Sequence, residues 1–267
     1  MKILVPVKQV ATLDEEFELQ EDELDVDHDF CEYDINEWDD YSLEEALQIK
    51  EANEGQEVEV IALTVGDDDA EDALRTCMAK GADRAVRIWD DAMEGADPMA
   101  IARAIAKFVE QEKPDLVFAG VQSSDQAFAQ TGMQVAALLG WPHAAVVNNL
   151  DYTPGAGTAT VRRELEGGLE EEVEVQVPAV MTIQLGINDP RYASLKGIKQ
   201  AKSRPIDEYS PADLGLSEDE MGASGSLSQV RKVYVPEKGQ AEMIEGTPAE
   251  QAARLAEIIK EFKGAAS

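Results

Sequence analysis

The residues best placed to do chemistry lie in Gly120-Val121-Gln122-Ser123-Ser124-Asp125-Gln126-Ala127-Phe128-Ala129-Gln130-Thr131-Gly132, a polar, small-residue segment between an apolar strand pattern and an apolar helical one. The first N–H groups of such a helix lack intrahelical acceptors and face the positive end of its dipole, so the segment can hold a phosphate. It is neither a Walker loop nor a GxGxxG fingerprint, and an ordinary capped turn has the same spacing. The remaining inventory is thin. His28 sits in an acidic stretch and His143 beside Pro142 at a strand start, with no GxSxG or HExxH in the chain. Cys31 and Cys77 have neither CxxC nor metal-ligand spacing, so neither a disulfide framework nor a metal site is expected. Without an evident nucleophile or general base, a carrier or binding module is favoured over a hydrolase.

Short apolar runs alternating with amphipathic ones must position that segment. Residues 3–7, 58–65, 84–89, 115–120 and 143–147 read as strands. Helices are expected from Ser42 to Asn53, with a Ser42–Glu45 capping box, from Asp67 to Gly81, from Asp97-Pro98 to Glu112, and from Ala127 to Leu139. The second of these turns Ala70, Ala73, Leu74, Cys77 and Met78 inward, which makes Cys77 a core residue. The alternation predicts an α/β fold, a mainly parallel sheet with helices on both faces, whose ligands sit beyond the carboxyl ends of the strands. Thr158–Glu164, Glu171–Val177 and Val180–Leu185 then read as successive antiparallel strands around Gly167-Gly168, an edge or flap on the parallel core. From Arg204 to about Glu245 the chain is turn-rich, and one helix capped by Thr247-Pro248, carrying Leu255, Ile258, Ile259 and Phe262, closes it. A long irregular stretch before a lone helix suits an arm that wraps a partner subunit.

Charge narrows the partners. The 267 residues carry 55 Asp plus Glu against 23 Lys plus Arg, a formal net charge of −32. That excludes a nonspecific nucleic-acid binder, while 44% hydrophobic content excludes a disordered acidic tail. No apolar run approaches the roughly 20 residues that span a bilayer, and Met1–Val7 is too short for a signal peptide, so a cytoplasmic protein, not membrane-embedded, is expected. Self-repulsion on this scale suits a salt-rich, halophile-like cytoplasm, where the Debye length falls to about 3 Å at 1 M. The distribution is uneven. Residues 14–45 hold seventeen acids and no Lys or Arg, whereas residues 189–204 hold Arg191, Lys196, Lys199, Lys202 and Arg204 beside Asp189 alone. Such a basic island is either a solvated helix end or a site for an anionic group or acidic partner.

Three consecutive segments carry a family resemblance: Arg163-Glu164-Leu165-Glu166-Gly167-Gly168-Leu169-Glu170, Val177-Pro178-Ala179-Val180-Met181-Thr182, and Asn188-Asp189-Pro190-Arg191-Tyr192-Ala193-Ser194-Leu195. Together with Val5-Pro6-Val7-Lys8-Gln9-Val10, Met78–Asp83 and Gln130-Thr131-Gly132, they resemble the β subunit of electron transfer flavoproteins over nearly all of residues 1–204. The resemblance implies a Rossmann-like, adenine-nucleotide-binding α/β domain over residues 1–204 and an extension over 205–267 that contacts an α subunit. It implies a heterodimer in which the α subunit holds most of a redox-active FAD, while the β subunit binds AMP or, in electron-bifurcating members, a second FAD. Electrons would come from flavin dehydrogenases such as acyl-CoA dehydrogenases and leave for a quinone-linked oxidoreductase; a bifurcating member would oxidise NADH.

Carried over by position, the nucleotide site implied is Pro6, Asn36, Glu37, Trp38, Asp39, Val65, Gly120, and Gln122 to Thr131, that is Gln122, Ser123, Ser124, Asp125, Gln126, Ala127, Phe128, Ala129, Gln130 and Thr131. The chain departs from AMP-binding relatives at Asn36-Glu37-Trp38, where many read Asn-Pro-[Phe/Tyr], and at Asp125-Gln126-Ala127, where they carry aspartates. Asp39 and Ala129 resemble bifurcating members; Gln130-Thr131-Gly132 resembles the AMP-binding ones. The resemblance also implies a dehydrogenase-docking loop, Arg191, Tyr192, Ala193, Ser194, Leu195, Lys196, Gly197, Ile198, Lys199 and Gln200, anchored by Leu195, and a role for Glu164 in holding or releasing the flavin-bearing domain of the α subunit. A stand-alone nucleotide-binding α/β protein without redox role is the reading from another class; it leaves Leu195 and the C-terminal arm unexplained.

Overall fold

The structure, a computed structural model, describes residues 1–13, 17–53, 55–236, 239 and 241–265. The chain forms two compact units, Met1–Lys232 and Val233–Ser267. In the larger unit β1 (Lys2–Pro6) leads into an antiparallel ribbon of β2 (Gln9–Thr12) and β3 (Glu32–Ile35). There follow α1 (Glu37–Ala52), β4 (Glu59–Val65), α2 (Glu71–Lys80), β5 (Arg84–Ile88), α3 (Pro98–Glu112), β6 (Leu116–Gly120) and α4 (Thr131–Leu139). Then come β7 (His143–Asp151), β8 (Thr158–Leu165), β9 (Leu169–Gln176), β10 (Ala179–Ile183), α5 (Leu195–Ala201), β11 (Asp207–Tyr209) and the short α6 (Gly222–Gly225). The smaller unit contains α7 (Pro248–Ala265), whose start is closed by Thr247: its N–H and hydroxyl both donate to the Glu250 carboxylate at 2.8 Å.

Among the described residues the main sheet has nine strands in the order β11-β5-β4-β1-β6-β10-β7-β8-β9, parallel from β11 to β7 and antiparallel from β7 to β9. Residue parity along each strand sorts the core into two layers. Ile3, Val5, Val60, Ala62, Leu116, Phe118 and Met181 meet Leu43 and Leu47 of α1 and Leu74, Cys77 and Met78 of α2. Leu4, Ile61, Leu63, Val117 and Val180 face the other way, onto Ala102, Ile105 and Phe108 of α3 and Val135 and Ala136 of α4. Helices therefore cover both faces, as the near-continuous apolar runs require. Asp97 starts α3 by accepting the N–H of Met99 at 2.9 Å and of Ala100 at 3.1 Å, with Pro98 in the first turn.

Several expectations need correction. Helix α1 begins at Glu37 rather than Ser42; Ser42 is fully buried inside it, and its hydroxyl donates to the Trp38 carbonyl at 2.9 Å instead of forming a capping box with Glu45. Helix α4 begins at Thr131 rather than Ala127, because Ala127 (φ 51°) and Ala129 (φ 54°) are left-handed and cannot extend a right-handed helix. Val180–Leu185 is not a third antiparallel strand: β10, buried along its whole length, lies between β6 and β7 and is parallel to both. Residues 205–232 belong to the larger unit, since β11 pairs with β5 and Leu214, Leu216 and Met221 complete the α3-side layer. The units thus divide after Lys232 and not after residue 204.

Candidate functional site

Strand order places the site. The connection from β1 leads through α1 to β4 on one side, and that from β6 leads through α4 to β7, beyond β10, on the other, so the loops beyond Pro6 and Gly120 diverge and leave a crevice at the carboxyl end of the sheet. A cavity of about 820 Å³, open mouth included, occupies it. Of the residues implied by position, Pro6, Asn36, Asp39, Val65, Gly120, Gln122, Ser123, Gln126, Phe128, Ala129, Gln130 and Thr131 line this cavity. Glu37, Trp38, Ser124, Asp125 and Ala127 do not. Leu63 and Val65 from β4 and Ile101 and Ile105 from α3 form an apolar wall, while Gln130, Thr131 and Gly132 bring the first turn of α4 to the opposite side. No side chain caps that helix start, which leaves its N–H groups available to an anion. An apolar slot facing unfilled amide donors fits a group that is aromatic at one end and phosphorylated at the other, as a nucleotide is.

Two buried polar side chains fix the cavity's walls. Asn36, 1% exposed, donates to the Gln122 carbonyl at 2.8 Å and accepts the Ser124 N–H at 3.1 Å. Asp39, 6% exposed, accepts the Lys8 N–H at 2.8 Å on one oxygen and the Gly120 N–H at 2.9 Å on the other. Burial pushes the Asp39 carboxyl up to about 7 against the opposing pull of these hydrogen bonds. Gly120 has to lack a side chain, since a Cβ there would overlap Asp39 Oδ1 and come within 2.6 Å of Trp38 Cβ. Trp38, half-buried, instead donates its indole N–H to Gln184 at 3.0 Å, and Gln184 donates in turn to Glu164 at 3.0 Å.

Position-by-position transfer missed Lys8, Val7 and the α3 wall. Lys8 Nζ bonds both Asp125 oxygens, at 2.9 and 2.7 Å, and Gln126 Oε1 at 3.1 Å. The available signal was its place two residues past β1; Ile101 and Ile105 carried none, because their spacing reads equally as core.

The basic island divides. Arg191 is drawn inward, gripping Glu44 through Nε at 2.7 Å and Nη2 at 2.9 Å and reaching Glu51 at 3.0 Å. Burial acts to raise the Glu44 carboxyl, but the hydrogen bonds from Arg191 outweigh it and hold the group below its ordinary range. Arg204 donates to the carbonyls of Ala82 and Asp83. Among the described residues Lys196, Lys199 and Lys202 have no ion-pair partner. The same stretch carries exposed apolar side chains: Tyr192 is 96% and Leu195 87% exposed, and Ile198 is exposed as well. Ser194 caps α5 by accepting the Gly197 N–H at 3.0 Å, and Gly197 lies so close to α2 that a Cβ would strike the Ala79 carbonyl.

Fold and cavity define a class, the mainly parallel α/β proteins with a crevice at the carboxyl end of the sheet. The particular family follows from comparison. A family model described as the electron transfer flavoprotein domain matches residues 27–214. The chain is 61% identical over 265 residues to the electron transfer flavoprotein subunit β of Methylophilus methylotrophus, covering 99% of this chain and 100% of that one. It is 32% identical over 262 residues to the Bacillus subtilis subunit β, covering 97% and 98%. The caffeyl-CoA reductase-Etf complex subunit CarD of Acetobacterium woodii is 40% identical over 230 residues, covering 85% and 86%. The chain belongs to the electron transfer flavoprotein family, on the β-subunit side, which implies an α-subunit partner and involvement of a flavin. Among the described residues no helix is long and apolar enough to cross a membrane.

Proposed function

We propose that this subunit, paired with an α subunit that holds most of a redox-active FAD, accepts electrons from flavoprotein dehydrogenases such as acyl-CoA dehydrogenases and passes them to a quinone-linked oxidoreductase. The observation that carries the proposal is Leu195, almost fully exposed on a helix start held against α2 and followed within seven residues by three lysines that have no ion-pair partner among the described residues. An apolar side chain kept in water at a fixed position gains about 1.5 to 3 kcal/mol when a partner buries it, and the lysines steer an acidic partner toward it. The cavity holds AMP, whose phosphate takes the α4 N–H groups and whose base takes the Leu63–Ile105 side. Glu164, tethered through Gln184, engages the flavin-bearing domain of the α subunit, and the Val233–Ser267 unit docks on that subunit. The flavin supplies the redox chemistry, and this chain's own residues bind, orient and dock. The setting is a salt-rich cytoplasm, in keeping with the −32 charge.

Identification and quantitation of the small molecules released from the purified heterodimer tests this. One FAD and one AMP per heterodimer are expected. Two flavins with NADH oxidation would replace the proposal by the bifurcating alternative, and a colourless, nucleotide-free protein would refute it. Leu195→Ala is expected to slow reduction by the dehydrogenase by roughly ten- to a hundredfold, the equivalent of that buried area, with flavin content unchanged; unaltered donor kinetics would remove the anchor.

A further inference from the structure

Lys8 is the only Lys or Arg that lines the cavity among the described residues, yet its side chain is committed to the opposite wall. Its backbone N–H and that of Gly120 share the Asp39 carboxylate, so the roots of both walls are fixed by one side chain. Beyond the roots, the loop from Ser124 to Gln130 is exposed throughout, and it holds Ala127 and Ala129 in left-handed conformations that cost about 1 to 2 kcal/mol each. Gln126, Phe128, Ala129 and Gln130 of this exposed loop line the cavity. Apart from the two Asn36 hydrogen bonds at its base, what ties the loop across the mouth is Lys8 Nζ, with three charge-assisted bonds to Asp125 and Gln126. Asp125 itself lies outside the lining.

We propose that Lys8 and Asp125 form a latch across the mouth of the cavity, an ion pair that retains the bound nucleotide by holding the 124–130 loop closed rather than by touching the ligand. The proposal rests on the reading that the cavity holds AMP. A ligand contact and a latch differ in sign at Asp125. If Lys8 were a phosphate ligand, neutralising Asp125 would free it and tighten binding; as a latch, the same change opens the loop and hastens release. The pair is partly exposed, so salt weakens it, and retention by the wild type becomes salt-dependent.

The test is the exchange of bound AMP for labelled AMP in the intact heterodimer, followed for wild type, Asp125→Asn, Lys8→Met and Lys8→Arg. Asp125→Asn and Lys8→Met are expected to exchange roughly three- to tenfold faster and to lose the acceleration by KCl seen in wild type, while Lys8→Arg stays within about twofold of it. Slower or unchanged exchange in Asp125→Asn overturns the latch, and that variant decides the matter even if Lys8→Met does not assemble. A wild-type heterodimer that carries no adenine nucleotide overturns the cavity reading and the latch together; full occupancy with uniform exchange rates overturns the latch alone.

Discussion

Asp39 makes the stability of the larger unit depend on pH in a direction opposite to that of a salt-bridged aspartate. Its carboxyl, pushed up to about 7 by burial, starts from an ordinary value of 3.8 in the unfolded chain. A group whose folded pKa is raised favours folding most when protonated: its contribution is full below the unfolded value and is lost as pH rises through the folded one. Between pH 8 and pH 5 the folded state takes up nearly one proton that the unfolded state does not. Integrating the linkage over that window, at about 1.4 kcal/mol per pH unit while the difference lasts, gives a gain of about 2 to 3 kcal/mol on acidification. Asp39→Asn keeps the volume and removes the titration. The other carboxylates, which also respond to acid in a chain of net charge −32, cancel when the two proteins are compared. Urea unfolding of both at pH 5, 6, 7 and 8, followed by far-ultraviolet circular dichroism, is expected to show the wild type gaining about 2 to 3 kcal/mol relative to the variant between pH 8 and pH 5. Parallel stability curves over that range would refute the reasoning, and would mean that the two backbone N–H bonds offset the desolvation of the carboxylate.

Gly197→Ala forces a Cβ against the Ala79 carbonyl, so α5 must lift from α2; donor reduction is expected to slow and amide exchange over residues 195–201 to quicken, with the sheet's protection unchanged. Ala129→Gly removes left-handed strain at φ 54° and is expected to stabilise the protein by roughly 0.5 to 1 kcal/mol, after the entropy added to the unfolded chain, read as a rise of about 1 to 4 °C in Tm. A fall in Tm would show that the alanine methyl packs more than the backbone strains.

What could be read in the chain before its structure follows the range of the interactions. Strands β1, β4 and β6 declare themselves as buried apolar runs, Asp97-Pro98 announces α3, and strand, polar loop and helix in succession locate residues 120–131 at a sheet end. The failures are tertiary. Asn36 caps nothing with its side chain; it holds Gln122 and Ser124, so the helix start it marks is silent in the local pattern, and Ser42 offers a false one. Strand β10 follows an antiparallel hairpin in sequence but enters the sheet between β6 and β7, and periodicity carries no information about neighbours. Lys8 and Asp125 are 117 residues apart, and nothing near either one names the other.

The basic island shows how tertiary partners change a charge argument. Five positive residues between 189 and 204 suggest one electrostatic patch, but Arg191 and Arg204 are consumed in fastening the segment to α1 and to the carbonyls of Ala82 and Asp83. Bidentate geometry suits the arginines to this fastening, whereas a lysine presents a mobile point charge. The three lysines left over follow Leu195, with Lys199 in the last turn of α5, where the helix dipole also favours a cation. In salt that cuts screening lengths to a few ångströms, such charges act only once a partner is nearly in contact. The arginines therefore hold the segment in place, and in the proposed docking Leu195 would supply the burial while the lysines would bias the final orientation.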